Sequence, residues 1–346
     1  MISRTSPWAR PLTRRTGSAE RWRRLGMLLA ALPVVVALSI AVGSGGIAPD
    51  TVFSVLVHPD GSEAAIIVHH LRVPRTVLAF AVGVALGMAG ALMQGQTRNP
   101  LADPGLLGIE AGAALAVVLA IALLGVDHIG GYLWFALAGA GVATVAVLSI
   151  AAGRGGPDPL SLVLAGAATS ALLMAFTQAF VIRDGDTIAA YRVWGAGTLL
   201  GRGIDIFYQC LPLLLLGVLL AALSAPGLNL LQLGDDVARS LGQHPVRQKV
   251  LGVGAILVLT GTATAACGPI GFIGLTVPHV ARALCGVDYR WIVAFSGLLG
   301  GMLLILADTI GRVIALPSEV QVGVVMALIG SPVFVLVVRR SRLVTI

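Results

Sequence analysis

The stretch GPIGFIGLTVPHVAR, residues 268–282, holds three glycines and two prolines within an otherwise apolar run. A backbone broken in this way survives at membrane depth only where neighbouring helices or a cavity satisfy its polar groups. The stretch therefore predicts a break at a membrane helix that is buried inside a helical bundle. The composition agrees, because 57% of the 346 residues are hydrophobic and only 11% are charged.

This composition excludes several classes of protein. Soluble domains carry about 25% charged residues, and the mean hydropathy here is +0.94. A soluble globular protein, a disordered chain and an ordinary nucleic-acid binder are therefore excluded. The three scattered cysteines give neither a disulfide framework nor a metal site, and are expected to be small apolar residues in packed helices.

The hydropathy pattern, at about 20 residues per span, predicts ten membrane helices. They are Met27–Val42, Val73–Met93, Leu106–Leu124, Gly131–Ala151, Leu160–Ile182, Ile206–Leu223, Val250–Cys267, Ile270–Leu284, Trp291–Ile310 and Val322–Val338. The stretch Thr187–Leu200 is too short to cross and is predicted to be a re-entrant or surface helix. The basic start also resembles a signal peptide, but no clear cleavage site comes after it, so a retained first span is favoured.

The distribution of basic residues predicts the topology. Ten spans place both termini on one side of the membrane, and that side holds 17 basic residues against six on the other. Because basic loops face the cytoplasm, both termini are predicted to be cytoplasmic. The predicted organisation is an Arg-rich cytoplasmic tail at 1–26, a transmembrane domain at 27–338 and a second cytoplasmic tail at 339–346.

The sequence lacks the motifs of an enzyme or a self-powered transporter. Its only lysine, Lys249, follows no glycine-rich loop, which excludes a P-loop. No paired acid–base residues and no metal-ligand cluster are present. The acids within the predicted spans are Glu110 and Asp308. Two acids are few for a proton-driven carrier, which normally needs ionisable groups along its pathway. The pattern indicates a transport pathway that lacks an energy source of its own. A secondary transporter is the alternative from another class.

Small residues and a turn mark the second predicted span. Gly83 and Gly87 form a GxxxG pair, which is expected to pack helices inside one subunit rather than to form a dimer seam. After the span, Pro100 disfavours helix at Asn99, and Asp103 is the expected N-cap of the next helix. This turn is either a tight connector or a cytoplasmic constriction that opens and shuts.

Five motifs in order resemble the FecCD family, the permease subunits of ABC importers for ferric siderophores, haem and cobalamin. They are RVPR at 72–75, QGQTRNPLADPGLL at 94–107, LGDDVARSLG at 233–242, GPIGFIGLTVPHVAR at 268–282 and LADTIGR at 306–312. The likeness covers roughly residues 47–340. It departs at Glu319-Val320-Gln321, where the family usually has Glu-Leu-Pro. The resemblance implies an all-α, polytopic membrane protein of about ten transmembrane helices with type II ABC importer permease architecture.

The resemblance also implies the partners. They are a second permease subunit, identical or paralogous, two cytoplasmic ATPase subunits, an extracytoplasmic substrate-binding protein and membrane lipid, with no nucleic acid. The chain would bind no cofactor or metal and catalyse nothing, since ATP and Mg²⁺ would be used by the ATPases. It would lie in the bacterial cytoplasmic membrane and carry a ferric siderophore, or cobalamin or haem, by alternating access at the dimer interface.

The resemblance implies four groups of site residues. They are Arg72, Arg75 and Arg312 for docking the binding protein; Asn99, Pro100, Leu101, Gly155 and Gly156 for a cytoplasmic gate; Tyr191, Arg192, Trp194 and Gly195 for an external gate region; and Asp235, Asp236, Val237, Arg239, Leu241 and Gly242 for ATPase coupling. Simpler alternatives are headgroup anchoring for the arginines and interfacial anchoring for the aromatic residues.

The coupling segment can also be assessed from its own residues. Asp235 is the expected N-cap and Gly242 the expected stop of a helix of about six residues. A helix this short is marginal in water, so something must hold it. Val237 and Leu241, four residues apart, form one small apolar face. That face either docks in an ATPase cleft or lies on the chain's own cytoplasmic end.

Overall fold

The computed structural model describes residues 17–44, 46–126, 129–152, 159–183 and 191–340, and none of these residues forms a strand. Helices make up most of them. In chain order they are α1 (Ser18–Ala41), α2 (Pro49–Val57), α3 (Glu63–Ile66), α4 (Val73–Thr97), α5 (Ile109–Leu124), α6 (Ile129–Ala151), α7 (Pro159–Arg183), α8 (Ile204–Leu231), α9 (Asp235–Ser240), α10 (Pro245–Cys267), α11 (Ile273–Cys285), α12 (Tyr289–Val313) and α13 (Val322–Arg340). A π-helical turn at Ile67–Arg72 joins α3 to α4, and a 3-10 turn at Pro104–Leu107 precedes α5.

Ten of these helices, all except α2, α3 and α9, correspond to the ten predicted spans. Seven helical segments of the described chain are long and apolar enough to cross a membrane, and α5, α11 and α13 are shorter apolar helices. The first helix begins at Ser18 rather than at Met27. It extends into the basic region because Glu20 pairs with Arg23 and Arg24, one helical turn further on.

Helix α4 is the centre of the bundle and packs against α8, α10, α11 and α12. Its contact with α12 is close enough to require glycine. A Cβ added at Gly83 would lie 2.3 Å from the Gly300 carbonyl oxygen, and one at Gly87 would lie 2.1 Å from that of Ser296. The prediction that the GxxxG pair packs helices inside one subunit is therefore confirmed.

The broken segment between α10 and α11 is buried against another part of the chain, as predicted. Gly268 adopts a φ of +77°, and a Cβ there would lie 1.9 Å from the carbonyl oxygen of Trp194. The Thr198 amide donates to the Cys267 carbonyl at 2.7 Å. A neighbouring stretch of backbone thus satisfies the break.

Two short helices between α1 and α4 were not predicted from the sequence. They enclose a small separate core that includes Val52, Val55 and Val68. Local signals for both helices exist, because Pro49 occupies the first turn of α2 and the Ser62 hydroxyl caps α3. The segment is too short and too polar at its ends to stand out in a search for spans.

Candidate transport and coupling sites

Charged side chains gather at two opposite ends of the bundle. The first, called here the arginine end, is formed by the C-terminus of α1, the N-terminus of α4 and the C-terminus of α12. The second, called the α9 end, is formed by α9, the C-terminus of α4 and the N-terminus of α10. Each end holds one predicted charged site.

At the arginine end, the buried carboxylate of Asp308 lies between two guanidinium groups. Arg75 donates to its Oδ1 from Nε at 3.0 Å and from Nη2 at 2.7 Å. Arg312 donates to its Oδ2 from Nε at 3.0 Å and from Nη2 at 2.5 Å. Arg75 also donates to Glu319 at 2.6 Å. Two cations and two carboxylates thus compensate one another away from water.

The same arginines hold the end of α1. Arg72 donates to the carbonyls of Ile40 and Ala41 at 2.8 and 3.0 Å, and Arg312 donates to the carbonyl of Ser39 at 2.7 Å. Cations at a helix C-terminus compensate carbonyls that have no partner within the helix. All three predicted docking arginines are buried in the single chain. Their docking role stays a prediction.

A cavity of about 290 Å³ lies beside this network. Its lining includes four arginines, Arg72, Arg75, Arg202 and Arg312, and one carboxylate, Glu319. Burial alone would raise the pKa of Glu319, but the hydrogen bond and charge of Arg75 outweigh it, so the pKa lies below its ordinary value. Glu319 is therefore ionised at neutral pH, and the four cations still exceed the carboxylates of Glu319 and the adjoining Asp308.

The predicted external gate region is described from Tyr191 onward, and the preceding part of Thr187–Leu200 lies outside the described residues. Residues 191–195 are helical. Trp194 is buried and its Nε1 donates to the Ala265 carbonyl at 3.4 Å, whereas Arg192 is exposed. A Cβ at Gly195 would lie 3.1 Å from the Tyr191 ring. Trp194 thus packs inside the described chain, and the role of this region as an external gate stays a prediction.

The turn after α4 has the predicted non-helical geometry. Arg98 ends the helix in the left-handed conformation, with φ of +51°. The side chain of Asn99 accepts a hydrogen bond from the Leu101 amide at 2.9 Å. Pro100 is exposed and Leu101 is partly buried. The turn is therefore held by a hydrogen bond between its own residues, and it comes directly after Arg98.

The predicted cap at Asp103 is present, but it precedes a 3-10 turn, and Gly108 is the N-cap of α5 itself. The Asp103 carboxylate accepts from the Gly105 amide at 2.9 Å and caps the 3-10 turn Pro104–Leu107. The other predicted gate residues, Gly155 and Gly156, lie outside the described residues.

The predicted coupling helix is present as α9, with six residues. Its predicted N-cap is wrong: Gly234, with φ of +107°, occupies that position, and Asp235 is the first helical residue. At the other end Leu241 is the C-cap, and Gly242 comes next with φ of +80°. The predicted stop at Gly242 agrees with this left-handed geometry.

Because Asp235 does not cap α9, its carboxylate can pair with side chains from two other parts of the bundle. Its carboxylate pairs with Arg98, at the end of α4, and accepts from Lys249 of α10 at 2.6 Å. The hydrogen bond from Lys249 lowers the pKa of Asp235, and Arg98 lowers it further. The ion pairs are therefore complete at neutral pH and are lost only as the pH falls below the ordinary pKa of an aspartate.

The apolar face of α9 points away from this chain. Val237 is 44% exposed and Leu241 is 57% exposed, whereas Ala238 is buried and contacts the bundle. Asp236 and Arg239 pair with each other at 2.9 Å. The proposed alternative, in which Val237 and Leu241 lie on the chain's own end, therefore does not hold within the described residues.

Comparison with known proteins agrees with this architecture. A model of the FecCD transport family matches residues 31–340. This chain belongs to the FecCD transport family. It is 43% identical to the ferric enterobactin transport system permease protein FepD of Escherichia coli (strain K12), with 91% of this chain and 94% of FepD covered. It is 40% identical to the iron(3+)-hydroxamate import system permease protein FhuB of Bacillus subtilis (strain 168), with 88% and 80% covered.

A solved structure confirms the fold of this FecCD family member. It is described as an inward-facing conformation of a metal-chelate type ABC transporter, and it superposes with a TM-score of 0.80 over 92% of this chain and 99% of that one. The sequence identity is 24%. The predicted all-α, polytopic permease architecture is therefore confirmed.

In this FecCD protein, the sequence motifs did not reveal how the predicted residues are held. Asp308 and Glu319 neutralise Arg75, and Lys249 holds Asp235. One signal was available, because Asp308 and Arg312 are four residues apart on a helix. The pairs of Arg75 join distant parts of the chain, and Lys249 and Asp235 lie on different helices.

Proposed function

We propose that this chain is the transmembrane permease of an ABC importer that carries a ferric siderophore across the bacterial cytoplasmic membrane. The observation that carries this proposal is α9, a six-residue helix that presents Val237 and Leu241 outward. Such a face needs an apolar partner. FepD and FhuB are named for ferric enterobactin and iron(3+)-hydroxamate, which supports a ferric chelate over cobalamin or haem. The test is ATP-dependent uptake by the reconstituted complex.

In this proposal the α9 end faces the cytoplasm and the arginine end faces outward. The excess of basic residues on the side of the termini supports this orientation. Two ATPase subunits bind ATP and Mg²⁺ and dock on α9 of each of two permease subunits. A binding protein delivers the substrate at the arginine end. The chain itself supplies the path and its gates, by alternating access.

Coupling runs from α9 to the gate turn through one ion pair. A displacement of α9 by the ATPase moves Asp235, which holds Arg98. Arg98 immediately precedes Asn99, so its movement alters the turn that would close the path. The contact from Lys249 keeps Asp235 aligned with α10 as well. The short helix and the gate therefore move as one unit.

Cysteines placed in the gate turn test its position at the dimer interface. We expect Asn99→Cys or Leu101→Cys to cross-link between two permease subunits in one nucleotide state and not in the other. The three native cysteines are buried and will not compete for the reagent. Cross-linking yield with and without ATP is the measurement. Equal yields in both states, or none with either residue, would identify the turn as a plain connector.

The arginine end is proposed to receive acidic residues of the binding protein. We expect Arg72→Gln to slow association with the binding protein severalfold at low salt and to flatten its salt dependence, since charge pairs at an interface govern the association rate. Arg72 is the suitable target because, among the described residues, its guanidinium group donates to backbone carbonyls and to no carboxylate. Exposed Arg183 provides a control, Arg183→Gln. Unchanged association of the Arg72 variant at low salt would count against docking here.

The helical segment 191–195 is proposed to move with the external gate. A spin label at exposed Arg192 leaves the buried Trp194 contact intact. We expect the label-to-label distance across the permease dimer to change with nucleotide. A distance that is the same in every state would limit this segment to a structural role.

A further inference from the structure

A groove of about 720 Å³ runs between α4, α8 and α12, away from both sites described above. Its walls are apolar and include Phe80 and Met88 of α4, Ala222 of α8 and Ala294 of α12. Ala222 and Ala294 are exposed. Leu219 and Leu223, the neighbours of Ala222 on α8, are also exposed. The groove therefore opens on an apolar outer face of the bundle, where a membrane protein meets lipid.

A polar latch lies close in sequence to Pro226 and Arg290, two residues that line the groove. The side chain of Asn229 donates to Asp288 at 2.8 Å and accepts from the Tyr289 amide at 2.8 Å. This latch holds α8 against the start of α12. Beyond it, the facing positions include Ala222, Ala294 and other small residues, which leave the space between the helices unfilled.

Arg290 lies on the wall of the groove next to this latch. It is exposed, and within the described chain its guanidinium group has no hydrogen-bond or ion-pair partner. The nearby carboxylate of Asp288 accepts hydrogen bonds from the Asn229 side chain and the Arg290 amide, and it pairs with Arg21. A cation with no partner in the described chain thus lies on the wall of an apolar groove.

We propose that this groove binds an acyl chain of an anionic phospholipid whose phosphate pairs with Arg290. An apolar groove on a lipid-facing surface accepts an acyl chain, and guanidinium groups match phosphate oxygens bidentately. A zwitterionic lipid supplies the same chain but brings a positive group beside Arg290. Free phosphate supplies the anion but leaves the groove without an occupant. The site does not depend on the transport function proposed above.

The test uses the full chain in nanodiscs containing equal amounts of phosphatidylglycerol and phosphatidylcholine, each with a photoactivatable acyl chain. Labelled peptides of α8 and α12 are quantified by mass spectrometry. One arginine near a membrane surface favours anionic lipid about fivefold, so we expect this preference in the parent protein. Arg290→Lys should retain most of it, and Arg290→Gln should remove it. Ala294→Trp should reduce labelling by both lipids, because it fills the groove.

The matched control is Arg247→Gln, which removes an exposed charge from the start of α10 and should leave the preference unchanged. Equal labelling by both lipids in the parent protein would overturn the proposal. The same holds if Arg247→Gln lowers the preference as much as Arg290→Gln, or if inorganic phosphate abolishes it. Absence of lipid labelling on these peptides, with their cross-linking to a second permease copy by a separate protein-reactive reagent, would also overturn it. Because no transport is measured, failure here is separate from failure of the proposed function.

Discussion

Val237→Asp or Leu241→Asp should weaken the complex with the ATPase subunits by about 30-fold or more, which corresponds to about 2 kcal/mol for an anchoring residue at an interface. Both side chains are exposed on α9, and an aspartate at either position would place an unpaired charge in an apolar contact. The contacts of Asp235 and Ala238 with the bundle stay intact, so the permease should still insert and fold. Affinity of the purified permease for the ATPase is the measurement.

The matched control for this prediction is Val246→Asp. It replaces another exposed valine at the α9 end with the same charge, on α10 rather than on α9, and it should leave assembly largely unchanged. Assembly and substrate-stimulated ATP hydrolysis would then separate the two classes of variant. If Val237→Asp and Leu241→Asp retain full assembly and transport, α9 is not the coupling helix.

Asp308→Asn should destabilise the folded permease by about 3–5 kcal/mol, the usual cost of removing one partner from a buried ion pair. Asp308 is 1% exposed and accepts four hydrogen bonds from two guanidinium groups. Without its charge, Arg312 has no carboxylate partner among the described residues, and Arg75 keeps only Glu319. The midpoint of thermal unfolding in detergent and the yield of folded protein are the measurements.

Glu319→Gln provides the comparison at the same network. Its side chain is 17% exposed, its one ion pair among the described residues is with Arg75, and it also accepts from the Ser44 hydroxyl, so its loss should cost clearly less than the loss of Asp308. A double variant, Asp308→Asn with Arg312→Met, should recover part of the stability because the uncompensated cation is then gone. An Asp308→Asn protein as stable as the parent, or a Glu319→Gln protein that is equally damaged, would contradict this account of the arginine end.

The membrane helices were predictable because hydrocarbon imposes one strong rule on the backbone. Every amide must be hydrogen-bonded within the segment or by a neighbour. The apolar runs therefore predicted helices, and the glycines and prolines at 268–282 predicted a buried break. The short helices α2 and α3 obey weaker local rules and were not predicted. Their stability comes from a small core closed by Val68 of the adjoining π-helical turn.

The charged sites show where sequence alone is insufficient. The length of α9 and its stop at Gly242 obey local rules of helix ends, and both were predicted. The role of Asp235 was not, because its partners Arg98 and Lys249 come from other helices. Likewise, 233 residues separate Arg75 from Asp308. A basic motif predicts a charged surface, and only the fold shows that a buried carboxylate neutralises it.

The measurement that tests the central claim most directly is uptake into proteoliposomes of substrates that carry a radioactive metal, which is iron in the siderophores and in haem, and cobalt in cobalamin. The proteoliposomes contain this chain with its permease partner, the ATPase subunits and the binding protein, and ferric enterobactin, an iron hydroxamate, cobalamin and haem are compared as substrates. The account predicts accumulation of a ferric siderophore only with ATP and Mg²⁺, and none by this chain alone under a proton gradient. Accumulation by the chain alone, driven by protons, would contradict it.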